Sequence, residues 1–347
     1  MKIIKKIVKY FLILFFLLIT VLIAVPLIFK SQIVDQVKQI SNESVNAKID
    51  FGDFNLSLIS SFPDFSFDIN NVSVINIEPF DGDTLAHIGN LNFELDLMSV
   101  IGGKYVISSF NISDFTANAK VLKDGKANWD IAIDDSTVVE EEDVSDEELA
   151  NEGEISSPFI AGLESFSISN VNLSYVDLES EMVAIIKGFN QSGSIHMVDD
   201  STEIDIKTGI ESILFDLDGE RLANNMKVES DIKIAADLSK MAFNFKENLI
   251  KLNELNLGVN GQMEMPDGMF FDLTLSAKDN KFRDVLSLIP VSYLSDLEGA
   301  ETKGDFDLTA HLKGKMDDDN LPGFDVDFSV NNAYLHYPDL PESVENI

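Results

Sequence analysis

Cysteine is absent from the 347-residue chain. That excludes disulfides, thiolate metal sites and cysteine nucleophiles, and fits either a reducing compartment or an envelope protein that needs no bridges. Tryptophan occurs once, and the four histidines are scattered. His87, His196, His311 and His336 have no second histidine or cysteine at metal-ligand spacing, so no metal site is expected and each is read as a strand or surface residue. GxSxG, Walker-type and GxGxxG motifs are all missing. Carboxylates are too numerous for one pair to stand out as acid and base. The expectation is a protein that is not an enzyme and has no cofactor; an envelope hydrolase is the weakest reading. Positive charge is also scarce. With 25 basic and 60 acidic residues the net charge is −35, which repels phosphate backbones and argues against nucleic acid as a partner.

Apolar residues are plentiful, at 45%, with 25 phenylalanines. From Tyr10 to Phe29 the chain reads YFLILFFLLITVLIAVPLIF without a charge, the length a helix needs to cross a bilayer core of ~30 Å. Lys2, Lys5, Lys6 and Lys9 precede it. Lys30 and Lys38 follow, diluted by Asp35 and Glu43. This asymmetry predicts a single-pass anchor with a cytoplasmic N-terminus and the bulk outside the cytoplasm. A cleaved signal peptide has a shorter apolar run and a small-residue cleavage site, neither of which is seen. Ile33, Val34, Val37 and Ile40 follow helical spacing after the anchor.

Most of residues 49–347 reads as strand. LNFELDL (91–97), FFDLTLSA (270–277) and DFDLTAHL (305–312) alternate apolar with polar residues. Turns are expected at Asp81-Gly82-Asp83, Gly102-Gly103, Asp124-Gly125, Asp218-Gly219, Asn260-Gly261 and Asp267-Gly268. A helix is expected in NKFRDVLSLIP, where Phe282, Val285, Leu286 and Ile289 share a face and Pro290 ends it. A helical turn is expected over Leu56–Phe62. Between Asp134 and Glu154 lie eleven acidic residues and no basic ones. High charge with few large apolar groups predicts a solvated, disordered linker; a calcium loop needs a fixed ligand pattern that is not there. The expected organisation is residues 1–30 as lysines and anchor, 31–133 as a first β region, 134–157 as the acidic linker and 158–347 as further β structure.

Five segments share a slip in the alternation: FDINNVSV (Phe67, Ile69, Val72, Val74), FNISDFTA (Phe110, Ile112, Phe115, Ala117), FSISNVNL (Phe166, Ile168, Val171, Leu173), IKLNELNL (Ile250, Leu252, Leu255, Leu257) and FSVNNAYL (Phe328, Val330, Ala333, Leu335). The polar pair is either a tight turn or a β-bulge. A bulge sets two residues against one, restores the parity of the four apolar side chains, and bends the strand. Asn and Asp suit the backbone angles required. Repeated bulges predict a curled sheet with one apolar face. A face of this kind must be covered, by a second sheet or by something else. For a tethered protein, acyl chains are the evident candidate.

FGDFNLSLISSFPDFSFDINNVSV (51–74), DTLAHIGNLNFELDLMSVIGGKYVISSFNISDF (83–115) and above all VLKDGKANWDI (121–131), with Gly125, Asn128 and Trp129, resemble the AsmA family of Gram-negative envelope proteins. The richness in Phe, Asp and Asn resembles a Bacteroidetes member. The resemblance implies an inner-membrane anchor, a periplasmic body, an elongated β-groove with a hydrophobic interior, and a part in outer-membrane assembly and phospholipid transport. Family members are usually longer, so an N-terminal fragment or short form is expected. The expected fold is mainly β: an anchor helix, then an elongated, curled antiparallel sheet with few short helices. Groove candidates are Phe67, Ile69, Val72, Phe110, Ile112, Phe166, Ile168, Val171, Leu173, Leu252 and Leu255. Expected partners are phospholipid, the inner membrane, and outer-membrane or envelope proteins. The competing expectation is an anchored β-sandwich that binds envelope proteins without carrying lipid. Trp129 is read as a packing anchor after the Asp124-Gly125 turn.

Overall fold

A computed structural model describes residues 36, 38–40, 42–57, 64–102, 106–133, 162–198, 201–265, 268–289, 301–317, 320–336 and 344–345. The uncharged run 10–29, residues 33, 34 and 37 of the following helical pattern, and the acidic stretch 134–157 lie outside them. Among the described residues no helix is long and apolar enough to cross a membrane. Residues 38–40 are helical, and Ile40 is exposed.

The described chain is mainly β, with few and short helices, and it divides into two compact units. The first unit holds β1 (Ala47–Asp50), β2 (Phe54–Ser57), β3 (Phe65–Asn76), β4 (Thr84–Leu95), helix α1 (Leu97–Ile101) and the first part of β5 (Ile107–Val121). β3 lies between β4 on one edge and β1 and β2 on the other. Leu56 and Ser57 are strand residues paired with Phe67 and Ser66. The helical turn expected over Leu56–Phe62 is therefore corrected at its start, and residues 58–62 lie outside the described set. β2 is claimed by the free edge of β3, whose pairing outweighs a local preference.

The second unit holds the end of β5, then β6 (Ser165–Asp177), β7 (Met182–Val198), β8 (Ser201–Leu217), β9 (Glu220–Asp237), β10 (Ala242–Leu252), β11 (Leu255–Glu264), β12 (Met269–Lys281), helix α2 (Phe282–Leu286), β13 (Glu301–Met316), β14 (Gly323–His336) and β15 (Val344–Glu345). These strands follow one another across a single antiparallel sheet in sequence order. Most neighbours from β6 to β12 are joined by short connections, as in a meander, while β12 and β13 are separated by residues 282–300, which include α2. Asp218 and Gly219 take φ of +52° and +79° and close the β8–β9 hairpin.

Asn260-Gly261, expected as a turn, lies inside β11. Gly261 pairs with Phe245 and Leu273, and a Cβ on it would stand 2.1 Å from the Asp272 carbonyl oxygen. Glycine is needed there for close approach of two strands, not for reversal of the chain. The helix expected before Pro290 is present as Phe282–Leu286. Its start is fixed by the Lys281 N–H donating to the Asp284 carboxylate at 2.7 Å, and its end tightens into i→i+3 bonds at Ser287, Leu288 and Ile289.

A one-sided apolar face and its opposite

In β6 the register runs Ile168↔Gln191, then Val171↔Phe189, then Leu173↔Ile186. Ser169 and Asn170 thus stand against the single residue Asn190, and on the next step Lys187 and Gly188 stand against Asn172. Two opposed bulges cancel the slip, so Phe166, Ile168, Val171 and Leu173 share a face. Asn170 and Gly188 take φ of +52° and +61°. A bulge leaves backbone donors out of the ladder, and asparagines of the neighbouring strand take them up. The Asn170 N–H donates to Asn190 Oδ1 at 2.9 Å, and the Gly188 N–H donates to Asn172 Oδ1 at 3.2 Å. The same device recurs farther along: the Lys233 N–H donates to Asn248 Oδ1, and the Asn256 N–H donates to Asn280 Oδ1. Asn248 and Asn280 are almost wholly buried and follow the register shifts of β10 and β12. Asn280 is satisfied on both sides, since its Nδ2 also donates to the Asn256 carbonyl at 2.9 Å, whereas the buried Nδ2 of Asn248 has no partner among the described residues.

Replacing Asn170 by valine puts a β-branched residue at positive φ and is expected to cost about 1–2 kcal/mol. Asn170→Gly keeps the amide donor and is expected to stay within about 0.5 kcal/mol of the parent. The urea midpoints of the two variants check this; equal losses would mean that the backbone angle is not the constraint.

Beyond β6 the registers carry one apolar face across the second unit, since directly paired residues lie on the same side of a sheet. Ile204 meets Ile195 and Ile234; Ile206 meets Gly193 and Ile232; Ile234 meets Phe245. Ile250 meets Leu257, and Leu275 meets Val259 and Ala310. Farther on, Leu308 meets Phe328 and Leu312 meets Phe324. One end of this face is closed. Leu255, Leu257, Ala277 and Phe306 are buried there, with Val285 and Leu288 of the α2 segment packed against them. Elsewhere most of its residues are only half-buried. Every described strand of the unit belongs to the same sheet, so among the described residues no second sheet covers the face.

The opposite face is charged. A cavity of about 480 Å³ has a mixed lining, with Glu203, Asp205, Asp231, Lys233 and Lys246 beside Ile204, Ile234, Ala235 and Leu249. Lys207 stands 3.6 Å from Asp231, and Lys313 2.6 Å from Asp272. Arg221 holds Asp216 with two hydrogen bonds across the β8–β9 hairpin and keeps its carboxyl below the usual carboxylate range. In the β9–β10 turn the Lys240 ammonium and the Ser239 hydroxyl push the Asp237 carboxyl down to about 2. Exposed pairs of this kind fasten turns and keep the outer face wet.

The first unit has its own apolar row. Phe67 of β3 stacks on Phe93 of β4 at 4.7 Å and 5°, and Phe54 of β2 tilts against it at 6.4 Å. Ile69↔Leu91, Val72↔Ile88 and Val74↔Ala86 continue it. The VLKDGKANWDI segment docks by its asparagine. Asn128 is 2% exposed, its side-chain amide donates to Asn76 Oδ1 at 3.3 Å, and Asn76 Nδ2 donates to the Asn128 carbonyl at 2.6 Å. Trp129 is 44% exposed, which corrects its reading as the packing anchor. Asn76→Ala deletes both bonds from a buried site and is expected to cost about 1–3 kcal/mol in a urea melt; a neutral result would assign the docking to other contacts.

The sequence candidates divide as follows. Phe67, Ile69, Val72, Phe110 and Ile112 lie on strands of the first unit, all half-buried. Phe166, Ile168 and Leu173 are half-buried on β6, whereas Val171 is 2% exposed. Leu252 and Leu255 are cross-strand partners flanking a two-residue hairpin turn at Asn253-Glu254, and Leu255 is core. The slip in IKLNELNL is therefore a turn, not a bulge. In FDINNVSV, Asn71 takes φ +54° while the register with β4 runs unshifted from Asn70↔Asn90 to Val72↔Ile88; the shift in this pairing comes later, between Val74 and Ile75. The bulge reading stands in FSISNVNL and in FSVNNAYL, where Asn332 and Ala333 oppose Gly304. In FNISDFTA, Asp114 takes φ +55° inside an unbroken β5. The histidines lie on strands, and the ring nitrogens of His87 and His311 meet Ser73 and Thr274 hydroxyls at 3.0 Å.

The face residues contributed by β8 and β9 and most of those from β10 and β14 were not among the sequence candidates. The period-two runs EIDI (203–206) and DIKI (231–234) are the signal that marks them. A model of the AsmA family matches residues 1–279. No curated protein and no solved structure matches the chain.

Proposed function

The chain belongs to the AsmA family, and from that premise we propose that it holds phospholipid acyl chains along the apolar face of its large sheet. It does so as a passive conduit or store in cell-envelope biogenesis. Acyl chains lie on Ile204, Ile206, Ile232, Ile234 and their neighbours, while headgroups stay in water; no bond is made or broken. The uncharged run 10–29 is proposed as the inner-membrane anchor, with the body in the periplasm. The observation that carries this reading is a single-sided apolar sheet whose residues are half-buried although, among the described residues, no second sheet covers them. Hydrocarbon is a fitting cover for such a surface, because removing it from water contributes ~25 cal/mol per Å² without asking for any hydrogen bond.

The test is direct. A photoreactive benzoylphenylalanine at Ile206 in cells is expected to crosslink phospholipid, detected by mass spectrometry of the purified adduct. The same probe at Lys207, on the charged face, is expected to yield none. Equal lipid yield at both positions, or none at Ile206, overturns the proposal.

A further inference from the structure

Three strands of the second unit break their apolar alternation once each, and the registers bring the breaks into one row. On β8 Thr208 stands between Ile206 and Ile210, and on β9 Ser230 stands between Val228 and Ile232. On β7 Gln191 stands between Phe189 and Gly193. Gln191 pairs directly with Thr208, and Thr208 directly with Ser230, in registers that run unshifted on both sides of them. The row is closed at its ends by Ile168 of β6 and Ile250 of β10. Directly paired residues share a side of the sheet, so a polar row crosses the apolar face. Gln191 Nε2 donates to Thr208 Oγ1 at 3.1 Å within it.

The chemistry of the row says what fits it. Gln191, Thr208 and Ser230 are half-buried, and none is charged. Lys207 and Asp231, the charged neighbours of Thr208 and Ser230, pair with each other on the opposite side at 3.6 Å. The row therefore has no cation for a phosphate. An unbroken hydrocarbon chain laid over it would take water from three polar groups and return no hydrogen bond, which is costly. After accepting from Gln191, Thr208 still has its hydroxyl proton to give, and the Ser230 hydroxyl brings another. Asn248 precedes Ile250 by two residues on the same side of β10; it is 2% exposed, and its Nδ2 has no partner among the described residues. Donors without charge call for a neutral acceptor, and the carbonyl of a carboxylic ester is one.

We propose that the row Gln191–Thr208–Ser230 is the seat of the ester carbonyls of a diacyl glycerolipid. The Thr208 and Ser230 hydroxyls donate to the carbonyls, and the acyl chains leave over the apolar residues beside the row, such as Ile206 and Ile232 on one side and Ile210 and Val228 on the other. This rests on the lipid reading and deepens it: the apolar residues alone hold a chain at any position, whereas the row gives the lipid a resting place. The bound class is then an ester-linked lipid, and free hydrocarbon is disfavoured.

The test offers the full chain in detergent equal amounts of a diester phosphatidylethanolamine and its diether analogue of the same chain length. The two differ only in the carbonyls. Lipid retained on the purified protein is counted by mass spectrometry. The diester is expected to exceed the diether roughly fivefold, the scale of one neutral hydrogen bond. The double variant Thr208→Val/Ser230→Ala is expected to retain the two alike, while Thr208→Ser, which keeps the hydroxyl, preserves the preference. Thr208→Val and Ser230→Ala made singly carry the same comparison if the double variant lowers the urea midpoint. Diester and diether retained equally by the parent, or a preference that survives loss of both hydroxyls, overturns this proposal and leaves the lipid reading standing. A parent that retains neither lipid overturns both.

Discussion

Phe306→Ala is expected to lower the stability of the second unit by about 3–5 kcal/mol, the range for deleting a buried phenylalanine. Phe306 is 4% exposed on β13 and sits opposite Asn280. Its ring lies 5.2 Å from that of Phe328, and Leu255, Leu257, Ala277, Val285 and Leu288 share its cluster. This is where α2 folds back over the sheet, and most of the neighbours that would have to collapse into the void are on strands held by their ladders. Removing Phe328, 60% exposed on the adjoining strand, is expected to cost under about 1 kcal/mol. The comparison is a urea melt of the two variants, with the protection of β13 amides followed by hydrogen exchange so that the two units are not averaged. Equal losses would mean that the α2 end is not a core.

Period-two alternation was legible because a half-buried strand leaves it in the sequence. LNFELDL, FFDLTLSA and DFDLTAHL fall on β4, β12 and β13. Leu97 leaves the pattern for α1 because Asp96 accepts the Ser99 N–H at 2.5 Å and turns the chain. What one strand's sequence leaves open is what its neighbour does. Asn71 and Asn170 occupy the same backbone region in look-alike segments. The register with the neighbouring strand passes Asn71 unshifted, whereas at Asn170 it shifts and the partner strand shifts back one step later. Asn253 reads the same way and closes a hairpin, because Leu252 and Leu255 pair with each other. Gly261 reads as half of an Asn-Gly turn, yet it is required by the Asp272 carbonyl of a strand some ten residues on. Trp129 is the rarest side chain, yet the buried hydrogen bonds that dock its segment are made by the neighbouring Asn128. Each of these outcomes is set by a partner strand, and pairing partners are not encoded locally.

The cleanest discrimination between an open lipid face and a closed core is a single charge. Ile232→Glu places a carboxylate on the apolar face of β9, beside Ile206. Ile232 is half-buried, and no described strand forms a second sheet above it. If hydrocarbon is the cover, the carboxylate stays hydrated in the lipid-free protein and the fold holds, while acyl chains must now lie against a charge. A charge among acyl chains costs about 2.5–3.5 kcal/mol at the centre of a bilayer, which corresponds to an affinity loss on the order of 50-fold or more. Lys233→Glu, one residue on and facing the other way, makes a larger change in net charge and is expected to leave bound lipid unaltered. The measurement is phospholipid per mole of purified protein, alongside the urea midpoint. Lipid lost with the midpoint retained supports the conduit. A midpoint that collapses in Ile232→Glu identifies the face as a sealed core, as a closed sandwich would have it. Lipid retained at the level of Lys233→Glu places the bound chains on some other surface.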